Sequence, residues 1–148
     1  MKPYAVLIVL AACGTDAGMQ ASDDAYQLCV DKTNQLRATV SKAALARSTA
    51  LEDFANAGAE YDFTRSPHDH FKTQSNSNLT AFAENECPHW DLSFGGGDEV
   101  MLVSKCIDAF WAEGPGGGHY DNMTGNYTML GCGIYHSGTD YTIVQDYR

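Results

Sequence analysis

Positive charge is scarce in this chain. Nine lysines and arginines stand against 19 aspartates and glutamates, a net charge of −10 over 148 residues. Nucleic acid requires a basic face that displaces counterions, so it is excluded as a partner. The same deficit disfavours direct electrostatic attachment to anionic lipid. The body of the chain has no apolar run long enough to cross a bilayer. No Cys-x-x-Cys pair occurs among the five cysteines, which argues against a structural zinc site built from thiolates. A nucleophile-elbow pattern around serine is missing, so serine-hydrolase chemistry has no support. The run Gly116-Gly117-Gly118 lacks a following Lys-Ser/Thr and a leading strand, so it is not a P-loop. There is no internal repeat.

What is present begins with an export signal. Lys2 precedes the apolar segment Tyr4 to Ala12, which is too short for a transmembrane helix and suits a signal peptide over residues 1–12. The segment ends in Leu10-Ala11-Ala12-Cys13-Gly14, which resembles the lipobox of bacterial lipoproteins. Cleavage before Cys13 would leave a lipidated cysteine and a small, polar tether over residues 13–23. The alternative is an ordinary signal peptide cut between Ala12 and Ala17. Assigning Cys13 to lipid leaves Cys29, Cys87, Cys106 and Cys132, an even set that suits two disulfides in an oxidising compartment. Three connectivities are possible. Sequons at Asn78, Asn122 and Asn126 would predict glycans in a eukaryotic secreted protein; with a bacterial lipobox they are coincidental. Gly14 after the cysteine, in place of aspartate, favours the outer membrane.

With 44% hydrophobic residues, the remainder, 24–148, is enough for one domain around one core. Asp23 and Asp24 suit a helix start, and Cys29, Thr33, Leu36 and Val40 form a stripe at helical spacing. A second helix starts at Thr49, which has capping-box spacing to Glu52, with a face of Leu51, Phe54, Ala55, Gly58 and Tyr61. Pro67 breaks it, and residues 62–78 read as a polar loop carrying His68 and His70. Thr80 to Glu86 reads as a strand. Asp98 is an N-cap for a third helix with Val100, Val103, Ile107 and Phe110 on one face. The glycines at 116–118 end it and bend the chain so that His119 returns toward Glu113. Met129–Tyr135 and Tyr141–Gln145 form a hairpin around Ser137-Gly138-Thr139-Asp140. Helices first and strands late predict an α+β fold, a three-layer α-β-α sandwich rather than a parallel βαβ fold. His89 and His136 read as surface residues, and Trp90 and Trp111 as core or cavity-wall aromatics.

Several segments fall in one order: Asn34-Gln35-Leu36-Arg37, His70-Phe71, Ala83-Glu84-Asn85, Trp111-Ala112-Glu113, Gly118-His119-Tyr120 and Gly131-Cys132-Gly133. This order resembles the CAP superfamily of cysteine-rich secretory proteins, antigen 5 and pathogenesis-related-1 proteins (the SCP domain), here as a bacterial lipoprotein-type member. The resemblance spans roughly Asp24 to Arg148. It implies an α-β-α sandwich with a central antiparallel sheet and a cavity lined by two histidines and two acids. Those residues match His70, Glu84, Glu113 and His119, with His68 as the alternative to His70. Ala112 departs from the family's usual aromatic after Trp111, and Asp121-Asn122 departs from the usual Thr-Gln.

Two imidazoles and two carboxylates suit zinc or another divalent cation, or acid/base chemistry. The expectation is therefore an exported CAP-domain protein whose His/Glu cavity binds a divalent metal, a small ligand, or both. Its partner is a small molecule, a lipid or a protein, and the membrane is reached only through the N-terminal lipid. The competing expectation is a metal-dependent hydrolase acting on envelope peptide or glycan.

Overall fold

The computed structural model describes residues 21–74 and 80–148. The segment expected to be an export signal, Cys13 and Asn78 lie outside them. Helix α1 (Asp23–Thr39) begins where the Ser22 side chain accepts a hydrogen bond from the Ala25 amide, with Asp23 and Asp24 in its first turn. Its inward stripe is Tyr26, Cys29, Val30, Thr33 and Arg37 rather than one running on to Val40, which is 39% exposed. Arg37 takes the inward place because its guanidinium donates to the carbonyls of Ala43, Met123 and Gly125. A buried cation thereby clamps two loops onto the helix.

Strand β1 (Ala46–Arg47) leads into helix α2 (Thr49–Asp62). The cap is Ser48, which accepts from the Leu51 amide; Glu52 turns instead to the Arg47 guanidinium. The expected polar loop after Pro67 contains a short helix, α3 (Asp69–Gln74). Strand β2 (Ala83–Asp91) is followed by a 3-10 turn (Leu92–Gly95), and α4 (Glu99–Ala112) starts at the expected cap, Asp98. Helix α5 (Gly118–Met123) precedes the hairpin of β3 (Met129–Ser137) and β4 (Asp140–Tyr147).

The sheet order is β1-β3-β4-β2, with β2 and β3 antiparallel to β4. The two-residue β1 runs parallel to β3, so the sheet is mixed rather than wholly antiparallel. A strand so short carries no periodicity that sequence could show.

The faces of the sheet differ in chemistry. Toward α1 and α4 it presents Ala83, Cys87, Leu130, Cys132, Ile134, Ile143 and Tyr147, which merge with Leu102, Val103, Ile107 and Phe110 into the main core. Toward α2 the apolar cluster is small: Ala55, Ala59 and Val144, flanked by Tyr135. Helix α2 lies directly on β3 because Gly131 and Gly133 have no side chains. A Cβ on Gly133 would stand 2.1 Å from a backbone atom of Ala55, and one on Gly131 2.3 Å from Leu51. Two disulfides pin the other side, Cys29–Cys132 between α1 and β3 and Cys87–Cys106 between β2 and α4. Both bridges use the four cysteines expected to pair.

Candidate metal centre

The site grows from alternation along β2. Residues two apart share a face, so Glu84 and Glu86 both turn away from the main core toward α2 and α3. Both are buried, at 5% and 4% exposure. His68 reaches them from the start of α3. Its ring Nδ1 lies 2.7 Å from Glu84 Oε1 and 3.8 Å from Glu86 Oε2. Its backbone amide donates to Glu86 Oε2 at 2.7 Å. The His68 backbone sits at φ 66°, a left-handed conformation costly for a side chain with a Cβ. Two hydrogen bonds to carboxylates hold it there.

One donor atom each from His68, Glu84 and Glu86 fall within 4.8 Å of one another, the only such group of three among the described residues. Burial raises the Glu84 carboxyl above its ordinary range, and pushes Glu86 up to about 7. The hydrogen bond to Glu84 raises the His68 imidazole. Protons therefore compete for the donor atoms near neutral pH.

His70 sits apart from this group. It is buried against Phe54 and Tyr61, with its amide donating to Asp62 Oδ1 at 2.9 Å and its Nδ1 unpartnered. Burial depresses its imidazole. Of the two histidines weighed from sequence, His68 touches Glu84 and His70 faces the layer beneath α2.

Glu113 and His119 form a second pair. Glu113 ends α4, and the chain turns through Gly114 and Gly116, both at positive φ, into α5. His119 Nδ1 then meets Glu113 Oε1 at 2.5 Å, and its amide donates to Glu113 Oε2 at 3.0 Å. The ring packs against Phe110, and its bond holds the Glu113 carboxyl below the ordinary range. The four residues matched to the family are thus two neighbourhoods on either side of edge strand β2. Asn85 and Asn122 lace them together: Asn85 donates to the His119 carbonyl, and Asn122 to the Glu84 carbonyl and Asn85 Oδ1. Glu86, absent from the sequence-derived set, touches both. Besides bonding His68, it lines a groove of about 210 Å³ with Pro88, Trp90, Phe110, Glu113 and His119. The Glu-x-Glu alternation at 84 and 86 was the signal for it.

Comparison with known proteins accords with this architecture. The family described as CAP, the cysteine-rich secretory protein family, matches residues 30–147, and the chain belongs to it. Among solved structures, NaASP2 crystallised with Zn2+ superposes with a TM-score of 0.65 at 21% identity, over 90% of this chain and 82% of that one. An outer surface protein from Borrelia burgdorferi gives 0.57 at 14% identity, over 88% and 98%. Venom allergen-like protein 4 of Schistosoma mansoni gives 0.55 at 14%, over 86% and 88%. These similarities show the CAP fold. No curated protein sequence matches.

Proposed function

We propose that this is an exported, surface-anchored CAP-domain protein that holds a divalent cation at His68, Glu84 and Glu86. The observation that carries this reading is the convergence of three donor atoms within 4.8 Å, two of them on buried carboxylates. Glu86 Oε1 and Glu84 Oε2 are buried without hydrogen-bond partners, so the site has acceptor capacity in excess of what the protein satisfies. One imidazole and two carboxylates are a normal zinc set, and three protein ligands leave the fourth position open. A tetrahedral zinc spaces its ligand atoms by roughly 3.3 Å, so His68 Nδ1 would open slightly from Glu84 Oε1, now at 2.7 Å, and close slightly on Glu86 Oε2, now at 3.8 Å. A bound cation would supply Lewis acidity beside the groove of Glu113 and His119. The zinc in the NaASP2 crystal supports the choice of ion.

Export is supported by the apolar N-terminal segment, by two disulfides and by family membership. Anchoring is supported by the lipobox at Cys13. The groove then presents a small ligand to the cation from outside the cell. A second reading is metal-assisted hydrolysis, favoured by the Glu113–His119 pair, in which a carboxylate orients an imidazole as in general acid–base sites.

Zinc content after dialysis tests the metal reading. The expected result is stoichiometric zinc in the parent, lost in His68→Ala and retained in His119→Ala. A parent that takes no zinc at micromolar concentration overturns it. Hydrolysis lost in Glu113→Gln with zinc retained would support the second reading. Mass analysis of the N-terminal peptide tests the anchor, which requires diacylglycerol on Cys13.

A further inference from the structure

Large apolar side chains left in water together mark a contact surface more often than ones scattered singly. Among the described residues four are exposed: Val40, Phe82, Phe94 and Met101. Val40 lies at the far end of α1, and the Phe82 ring faces the Arg148 guanidinium. Phe94 and Met101, 61% and 49% exposed, belong to one end of the molecule. There the 3-10 turn is pressed onto the start of α4. The spot for a Cβ on Gly95 is 2.6 Å from the Leu102 amide nitrogen, which brings their neighbours Phe94 and Met101 close. Trp90 joins them with its ring edge-on to Phe94, centroids 5.8 Å apart. Trp90, Phe94 and Lys105 line an open depression of about 400 Å³, and Lys105 follows Met101 by one helical turn.

The carboxylates around this patch are engaged by the protein's own donors. Asp98 accepts from the Met101 amide, Glu99 from the amide and hydroxyl of Ser22, and Asp91 from the Ser93 amide and the Thr139 hydroxyl. Lys105 adds an exposed cation. Aromatic rings, a thioether and an ammonium on a long stem suit a lipid interface: the apolar parts enter the headgroup region and the charge stays at the phosphates. The Ser22–Glu99 bonds also fix where the chain enters the domain, beside the first turn of α4. Ser22 is nine positions after Cys13, so the tether spans about 30 Å at most.

We infer that Phe94, Met101 and Trp90 dock on the bilayer that holds the Cys13 lipid, with Lys105 at the level of the phosphates. The inference rests on the anchor proposed above. A tether this short keeps the patch at an effective concentration on the order of millimolar, so a contact too weak to recruit a free domain suffices. The contact is apolar, and the net charge of −10 opposes only attachment through charge. The bilayer is favoured over a second copy of the chain because the tether enters the domain beside the patch. Trp90 also lines the groove of Glu113 and His119, so docking sets the rim of that groove at the membrane surface.

Fluorescence quenching by vesicles of brominated phosphatidylcholine tests this on the whole lipidated protein. A Trp111→Phe background leaves Trp90 as the sole tryptophan. The expected result is quenching of Trp90 relative to unbrominated vesicles. It should be lost when Phe94→Ser and Met101→Ser are combined, while the protein stays on the vesicles through its lipid. Both replaced side chains are exposed, so the fold is kept. Vesicle-bound protein with unquenched Trp90 overturns the docking and leaves the anchor standing. A concentration-dependent dimer in detergent, abolished by the double variant, overturns it in favour of a second copy. A Cys13 without lipid, in a protein that binds no vesicles, overturns both docking and anchor.

Discussion

Replacing Glu86 by glutamine should stabilise the metal-free protein most at alkaline pH. In the unfolded chain this carboxyl titrates near 4.5, and in the folded protein burial pushes it up to about 7. The folded state therefore binds the proton more tightly, and stability falls as pH rises between those values. Below the unfolded value both states are protonated and the group is neutral in its effect. Above 7 both are ionised, and the full penalty, about 3 kcal/mol, is present. Between pH 5 and pH 8 the loss assigned to Glu86 is about 2.5 kcal/mol. Glutamine keeps an oxygen to accept the His68 amide and carries no charge, so the penalty disappears. Urea unfolding in chelator at pH 5 and pH 8, parent against Glu86→Gln, measures it. The difference between the two proteins should widen with pH by an amount of that order. A constant difference would refute the assignment, because the neighbouring Asp62, Glu84, His68, His70 and Asp146 titrate in both proteins. Zinc should reverse the ranking, since the glutamine removes an anionic ligand. A carboxylate that weakens the empty fold and strengthens the loaded one is a mark of a binding site.

The two disulfides should differ in weight. Cys29–Cys132 closes a loop with a separation of 103 residues and Cys87–Cys106 one of 19. Chain entropy then predicts losses of about 4.7 and about 3 kcal/mol for the paired alanine variants, readable by urea titration under non-reducing conditions. Gly133→Ala forces a Cβ into the backbone of α2 and should cost about 3 kcal/mol or prevent folding, whereas Gly138→Ala, with nothing near its Cβ but a left-handed φ of 63°, should cost only about 1 kcal/mol. Thermal melts of the two variants compare them directly; equal melting temperatures would contradict the close approach of α2 to β3.

Much of the fold was legible where local chemistry leaves one choice. Asp98 capped its helix as its position promised, and the hairpin formed around Gly138, at φ 63°. The second helix begins at Thr49 as its spacing promised, but Ser48 rather than Thr49 makes the cap and Glu52 turns to Arg47. The polar stretch after Pro67 read as loop because α3 is only six residues long and has no apolar face to give a period. Arg37 was invisible as a core residue, since its place inside depends on carbonyls more than 80 residues away.

The site divides in the same way. Sequence named imidazoles and carboxylates, Glu84 among them, as candidate donors, and it marked Glu113 and His119 as partners across a glycine bend. It also determined that four cysteines remain to pair. Only the tertiary structure decided that Cys29 meets Cys132, that His68 rather than His70 contacts Glu84, and that Glu86 joins them. The glycines of Gly131-Cys132-Gly133 gained their meaning there too, as the surface on which α2 rests. The reason is that a strand's alternation states only that Glu84 and Glu86 share a face. Which histidine stands over that face depends on how a short helix docks across a distance in sequence that no local pattern encodes.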